Sequence, residues 1–327
     1  MTSRGTALRT LVGFVVSIAA LAFVLNQADL GRTADALRTV NPGWILAMLG
    51  LQAVDVLLRA WRWQRLLKPI HTVRYPPMLG YLLIGYFANN ILPARLGELV
   101  RSHYVGDREG VSRTTALGTV VVERVIDTAV VVSIASLAIL VLHVRGLVAS
   151  AVLIGMALTA LLIVGLALGL AAHRLPGAER VVAAVARWPQ VGELARKLRG
   201  GLAVAGQPRV LAEALLLSLA AWACTVLAFL AAGQSLGIEM TVSQASLLAA
   251  GTALATAIPA GPSNLGTFDL AAVEIAATFG IDRDTGLALA LIAHASILVI
   301  TSVGGAIALI ALGSGRRQPR QGVAGSV

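Results

Sequence analysis

The chain has 327 residues, of which 57% are hydrophobic and only 13% are charged. A soluble globular domain has about half apolar and about a quarter charged residues, so the composition excludes an ordinary soluble domain. Its formal net charge is +10, but the basic residues lie between apolar runs and at the ends, without an aromatic-rich basic module. They are typical of topology determinants and of contacts with anionic lipids. We therefore expect a membrane protein with no nucleic-acid partner.

The predicted fold is an all-α polytopic transmembrane helical bundle of about six full spans. The first apolar run follows Arg4 and Arg9 and is longer than a signal-peptide core, so we expect an uncleaved first helix. Each run reaches or approaches the length of roughly 18 residues that indicates a spanning helix. The runs are approximately 8–25, 43–60, 116–142, 147–172, 211–234 and 286–312.

Two further apolar segments, 78–92 and 245–279, are short or interrupted by prolines and glycines. The basic segments 59–74 and 173–209 and the basic tail all favour the cytoplasm, and so does the N-terminus. The full spans already provide the even number of crossings needed between these segments. We therefore predict that 78–92 and 245–279 are re-entrant and enter from opposite faces. Alternatively, each is a full span paired with a crossing that the hydropathy does not reveal.

Opposed re-entrant segments are typical of transporters built from an inverted repeat. The two halves show no residue-level identity, so the repeat is a topological hypothesis. We predict a single integral membrane domain over residues 1–312, with a cytoplasmic amphipathic segment at about 174–209. Residues 313–327 are expected to form a basic, disordered cytoplasmic tail.

Charged residues are concentrated at the first break and in the span that follows it. Glu123 and Asp127 share a helix face, Arg124 is spaced to pair with Asp127, and Glu123 needs another cation. One hypothesis is a polar cavity whose arginines bind an anionic head group; the other is a set of ion pairs at the cytoplasmic interface that fixes helix packing. With three arginines against three carboxylates, the candidate group is formally neutral, as a membrane-embedded ion network requires. Its members are Arg95, Glu98, Arg101, Glu123, Arg124 and Asp127, with Arg95 or Arg101 as the candidate partner of Glu123.

The second break runs from Ile258 to Asp269 and contains two prolines and two glycines. We expect Ser263 or Asn264 to cap the next helix, whose free N–H groups would suit a phosphate. Asn264 and Asp269 are therefore candidate binding residues. The alternative is a structural corner with Asp269 in a first turn.

Two other features have structural interpretations. The arginine- and tryptophan-rich segment 59–68 is typical of an interfacial anchor, and Asp55 is spaced to pair with Arg59. His294 is alone in a span and is expected to be a hydrogen-bonded packing residue, with a proton role as the alternative. The histidines show no metal-ligand spacing, and Cys224 is the only cysteine. We expect no metal, cofactor, catalytic residue or intramolecular disulfide.

Three motifs resemble the transmembrane region of lysylphosphatidylglycerol synthases, which also occurs alone in flippase-like membrane proteins. They are the Asn-x-x-Pro-Ala-Arg-x-Gly-Glu-x-x-Arg run at 90–101, the Arg- and Trp-rich run at 59–67, and Glu-Arg-x-x-Asp at 123–127. The resemblance covers about 8–312 and implies a lipid-translocating fold in the cell membrane. Relatives tend to carry a glutamate where Asp269 stands and paired glycines where Ser263 and Asn264 stand. These differences concern the identity of the substrate more than the fold.

The resemblance and the motifs together predict a flippase or transporter for an anionic or polyprenyl-linked membrane lipid. The alternatives are an integral-membrane enzyme acting on a lipid phosphate, and a non-transporting partner of an envelope glycosyltransferase or lipid-modifying enzyme. Because the sequence ends at Val327 without the soluble aminoacyl-transferase domain of the bifunctional members, we expect no synthesis of aminoacyl lipid by this chain.

Overall fold

The computed structural model of the chain describes residues 3–92, 96–146, 148–150, 152–157, 160–161, 164, 200–256 and 260–313. Within these ranges the regular structure is helical, without strands, which confirms the predicted all-α fold. Most of the predicted span 147–172, most of the amphipathic segment 174–209, the tail and Arg95 lie outside the described residues.

Ten α-helices have bounds that lie within the described residues. The first hairpin is α4 and α5, and the second is α8 and α9. The helices are α1 (Ser3–Gln27), α2 (Leu30–Arg38), α3 (Pro42–Leu67), α4 (Tyr75–Ile91), α5 (Gly97–Glu109), α6 (Arg113–Leu142), α7 (Pro208–Ser235), α8 (Val242–Ala255), α9 (Thr267–Ala277) and α10 (Arg283–Gly313).

Four of these helices, α3, α6, α7 and α10, are long and apolar enough to cross a membrane. A fifth candidate combines α1 with α2, which are bent by 84° relative to each other. The bend occurs where Asp29 caps α2, since its side chain accepts hydrogen bonds from the backbone N–H groups of Gly31 and Arg32. Hydropathy gives no signal for α2, because this short helix follows the apolar run and is itself polar.

The segment after α3 forms the predicted helix–break–helix hairpin. The Asn89 side chain accepts a 2.7 Å hydrogen bond from the Gly97 N–H at the turn, and Tyr81 donates to Glu109 near the open end. These contacts make α4 and α5 antiparallel, so the chain returns to the side from which it came. The Gly85 and Gly97 backbones approach closely, which only residues without a side chain allow.

The second break also produces a hairpin, from α8 and α9. Its turn ends at Gly266, whose φ of 84° is in the region that favours glycine. Gly266 is the N-cap of α9, and Asp269 accepts its backbone N–H at 2.9 Å. The expectation that Ser263 or Asn264 caps this helix is therefore wrong. Both residues lie earlier, in the Pro262–Asn264 turn, with positive φ angles of 59° and 56°.

The first half of the bundle, α3 to α6, and the second half, α7 to α10, pack on each other reciprocally. Helices α3 and α7 form an antiparallel central pair, joined by Asn41 N–H to Ser235 O at one end and by Arg65 to Glu213 at the other. Helix α4 of the first hairpin packs on α10, and helix α8 of the second hairpin packs on α6. Each half thus has the order span, hairpin, span, and each hairpin packs on the last span of the other half. This is the arrangement that the inverted-repeat hypothesis requires.

The close approach within the first hairpin gives a prediction about stability. In Gly97→Ala the new methyl group would meet the Gly85 carbonyl oxygen and the Asn89 side chain, so we expect a loss of about 1–3 kcal/mol in the free energy of unfolding. Gly50→Ala in α3 is the control, because nothing lies within 4 Å of the added carbon. Thermal unfolding of the purified variants in detergent measures both. Equal melting temperatures for the two variants would contradict the prediction.

Candidate functional site

Buried ion pairs join α3, α5 and α6. Arg62 of α3 binds both carboxylate oxygens of Asp127 through its two terminal nitrogens, with Nη2 at 2.9 Å from Oδ2. Glu123 accepts from Arg101 of α5 at 2.9 and 3.2 Å, and its Oε1 lies 3.2 Å from Arg62 and 2.7 Å from Arg124. The side chains of Arg62, Arg101 and Glu123 are at most 2% exposed. Arg101, one of the two predicted candidates, is thus in contact with Glu123.

A second group of contacts extends this network toward α7. The predicted Asp55–Arg59 pair is present at 2.8 Å, and Arg59 also lies 3.5 Å from Asp127. Trp222 and Thr225 of α7 donate to Asp127 and Asp55 at 3.3 and 3.4 Å. Asp55 therefore belongs to the same network, a connection that its spacing from Arg59 does not reveal.

The interpretation of segment 59–68 as an interfacial anchor is wrong for one face of α3. Arg62 and Trp63 are fully buried, and the Trp63 ring lies 4.5 Å from the Arg101 guanidinium and donates from Nε1 to Thr119. Trp61, by contrast, is 43% exposed. The local sequence does not show which arginines and tryptophans are buried, because that depends on which face of α3 packs against α6 and α7.

The charged network is formally neutral, as predicted for the candidate group, but it consists partly of other residues. Four arginines (59, 62, 101 and 124) face four carboxylates when Glu98, which lines the adjoining cavity, is counted with Asp55, Glu123 and Asp127. The formal sum is again zero. A neutral but locally charged network reduces the cost of desolvating each ion.

A cavity of about 330 Å³ lies between this network and the two helix breaks. Its polar wall includes residues from both halves: Asp55, Arg59, Asn89, Asn90, Glu98, Arg124, Asp127, Ser263, Asn264 and His294. Apolar side chains such as Val131, Phe229, Leu254 and Ile297 complete it. Arg62, Arg101 and Glu123 are not among the lining residues and form a layer behind the cavity-facing charges.

The two breaks meet at the cavity. Ser263 Oγ donates to the Asn90 carbonyl oxygen at 2.9 Å, and the Asn90 amide donates to Thr301 and Ser302 of α10 at 2.8 and 2.9 Å. Ser17 of α1 accepts the Gly261 N–H at 2.8 Å. Backbone groups released by the broken helices are thus satisfied by short polar side chains, as membrane depth requires.

Asp269 is buried one layer behind the cavity wall. Its Oδ1 lies 2.9 Å from His294 Nδ1, and His294 itself lines the cavity. Position 269 therefore reaches the cavity through His294. The sequence offered one signal for His294, a lone histidine within a span, and did not connect it with Asp269.

Arg124 is the described cation with the most free capacity toward the cavity. It bonds Glu123 and Asp127 through Nη2 only, and its side chain is 37% exposed. Its Nε is buried without a hydrogen-bond partner among the described residues. An unpaired buried donor costs free energy, and the Nε of Arg62 is buried in the same way. The exposed part of the Arg124 side chain is the part that an oxyanion in the cavity can reach. Within the same described ranges, no group of three His, Cys, Asp or Glu side chains is arranged for a metal ion.

Residues 10–305 match the family described as the lysylphosphatidylglycerol synthase TM region. The chain belongs to this family. It is 24% identical to glycosyltransferase AglD of Haloferax volcanii over 92% of this chain and 54% of that protein. It is 28% identical to a UPF0104 membrane protein of Methanocaldococcus jannaschii, over 37% of this chain and 35% of that protein. A UPF0104 membrane protein of Methanothermobacter thermautotrophicus is 29% identical over 35% of each chain. The matches thus span between about a third and about half of the relatives' own length.

Breaking the buried network should destabilise the fold. Glu123→Gln leaves Arg101 buried without its carboxylate and removes one of the two carboxylates that bind Arg62, for which we expect a loss of about 3–5 kcal/mol in the free energy of unfolding. Asp35→Asn is the control: it breaks an ion pair with Arg38 whose side chains are 72% and 80% exposed, and it should cost less than about 1 kcal/mol. Thermal unfolding in detergent compares them, and a Glu123→Gln variant as stable as the control would refute the prediction.

Proposed function

We propose that this membrane protein moves an anionic or polyprenyl-linked lipid across the cell membrane, with the lipid head group held in the cavity between the two helix breaks. The observation that carries the proposal is the partly exposed Arg124 side chain, which lines a cavity whose wall is built by both halves. Opposed breaks that meet at a polar cavity near mid-membrane are the arrangement used for alternating access.

In the proposed complex a phosphate oxygen accepts from Arg124, the strongest type of hydrogen bond available at this site. Asn89 and Asn90 of the first break and Ser263 and Asn264 of the second face the same cavity, and their polar groups suit the remaining oxygens and hydroxyls. Glu98 and the buried arginine–carboxylate layer keep the site close to neutral when it is empty. Arg95 remains a candidate contact from the sequence alone, and Asp269 acts through His294.

The AglD match favours a second candidate, because it covers 92% of this chain and that protein is named a glycosyltransferase. In this candidate the chain serves a glycosylation process on a lipid, either as part of an enzyme acting on a lipid phosphate or as a non-transporting partner of an envelope glycosyltransferase or lipid-modifying enzyme. A cavity that holds a head group is compatible with the enzyme and is not needed by a partner. The charge distribution of the loops supports cytoplasmic N- and C-termini in either case.

Translocation in proteoliposomes tests the proposal. Wild-type protein should move fluorescent phosphatidylglycerol or a fluorescent polyprenyl phosphate between leaflets, measured by quenching with a membrane-impermeant reagent. Arg124→Gln should lower the rate about 10- to 100-fold, the loss expected when a charge-assisted hydrogen bond is removed.

Arg113→Gln is the matched control for this assay. Arg113 lies on the same helix and pairs with Asp107, but its side chain is 57% exposed and lies outside the cavity. Its variant should translocate as well as wild type. Wild-type protein that moves neither lipid, or Arg124→Gln that moves them at the wild-type rate, would overturn the proposal. Conversion of either lipid to a new product, seen by mass spectrometry, would favour the enzyme instead.

A further inference from the structure

Asp269 and His294 form a buried titratable pair outside the arginine network. They are 2% and 5% exposed, and the Phe268 ring lies 4.4 Å from the imidazole. The pair joins the start of α9 to the middle of α10, and one member faces the cavity. Anion binding by Arg124 does not use it.

Hydrogen-bond chemistry fixes how many protons this pair holds. His294 Nε2 lies 3.0 Å from the Ser263 carbonyl oxygen, which can only accept, so Nε2 carries a proton. The 2.9 Å contact between Nδ1 and Asp269 Oδ1 needs one further proton, either on the imidazole or on the carboxyl group. Asp269 Oδ2 already accepts the Gly266 N–H. After loss of one proton the neutral imidazole keeps a single N–H, which can serve either Asp269 or Ser263. The carboxylate holds it on Nδ1, so the Nε2 lone pair then faces the Ser263 carbonyl oxygen, which is repulsive.

The same imidazole connects the pair to the contact between the two breaks. His294 Nε2 donates to Ser263 O, and Ser263 Oγ donates to the Asn90 carbonyl oxygen of the first break. Ser263 itself has a positive φ of 59°, a conformation that a serine keeps only when its surroundings hold it. His294 therefore contacts the residue that joins the second break to the first.

We propose that Asp269 and His294 form a proton-binding site that holds the second helix break closed over the cavity. With the proton bound, the imidazole bridges Asp269 and Ser263, and the breaks are in contact at Ser263 and Asn90. When one proton leaves to water through the cavity, the remaining imidazole proton stays on Nδ1 with the carboxylate. The Nε2–Ser263 hydrogen bond is then lost, and the segment 260–266 separates from Asn90. The use of this opening for lipid transport rests on the proposed function, whereas proton binding and closure do not.

Other charged groups face the cavity from the surrounding helices and define what must be controlled. They belong to α3, α4, α5 and α6. Glu274 of α9 pairs instead with Arg283 at the start of α10, where Arg32 approaches Asp284. Among the described residues, the cavity-facing titratable or charged groups besides His294 are Asp55, Arg59, Tyr86, Glu98, Arg124 and Asp127.

Hydrogen–deuterium exchange of the full chain in nanodiscs tests this site without a transport assay. The readout is the exchange of peptides covering residues 260–266, corrected for intrinsic chemistry, from about pH 5 to about pH 8, where histidine ordinarily changes charge. In wild type we expect protection to fall by about tenfold or more as pH rises, the effect of losing a charge-assisted hydrogen bond. Protection that is unchanged with pH would overturn the proposal.

The Asp269→Asn variant tests whether this pair, rather than another titratable group, binds the proton. An asparagine can accept the Gly266 N–H through its oxygen and donate to Nδ1 through its amide, as the protonated carboxyl group does. Its segment 260–266 should therefore stay protected across the range. His294→Gln, which cannot titrate, should also lose the pH dependence. A wild-type transition that persists in both variants would assign the proton to another group and refute the proposal. Failure of lipid translocation with this exchange pattern intact would count against the transport function alone.

Discussion

The cost of burying charge in an apolar bundle constrains the structure more than any other interaction. Arg62 is fully buried and can stay ionised only because Asp127 and Glu123 of α6 both bind it. Glu123 in turn requires Arg101, which comes from α5, the returning arm of the first hairpin. The pairing therefore holds the returning arm of the first hairpin against α6.

Broken helices at membrane depth impose a second constraint, because their free backbone groups must be satisfied internally. Short polar side chains do this at both turns: Asn89 for Gly97, Ser17 for Gly261, and Ser263 for Asn90. These side chains are short, and two of them, Asn89 and Ser263, line the cavity. The cavity lies at this point, next to the charges that would otherwise be packed against apolar side chains.

The two halves share an architecture but differ in chemistry. The first half carries the buried arginine–carboxylate network. The second half contributes the buried pair of His294 and Asp269 and the turn that contains Ser263 and Asn264. In the functions proposed above, one half binds an anionic head group and the other responds to a proton. An inverted repeat allows such a division, because both breaks reach the same cavity from opposite directions.

The sequence by itself determined the all-α membrane fold, both breaks, the pairing of Asp55 with Arg59 and the candidacy of Arg101 for Glu123. Hydropathy, prolines and helical spacing act over a few residues, so they can be interpreted without tertiary contacts. Only the tertiary structure decided that Arg62 is central, that Gly266 rather than Ser263 caps α9, and that His294 meets Asp269. Arg62 and Asp127 are 65 residues apart and His294 and Asp269 are 25 apart, so the packing of separate helices brings them together, and no local pattern records which faces will meet.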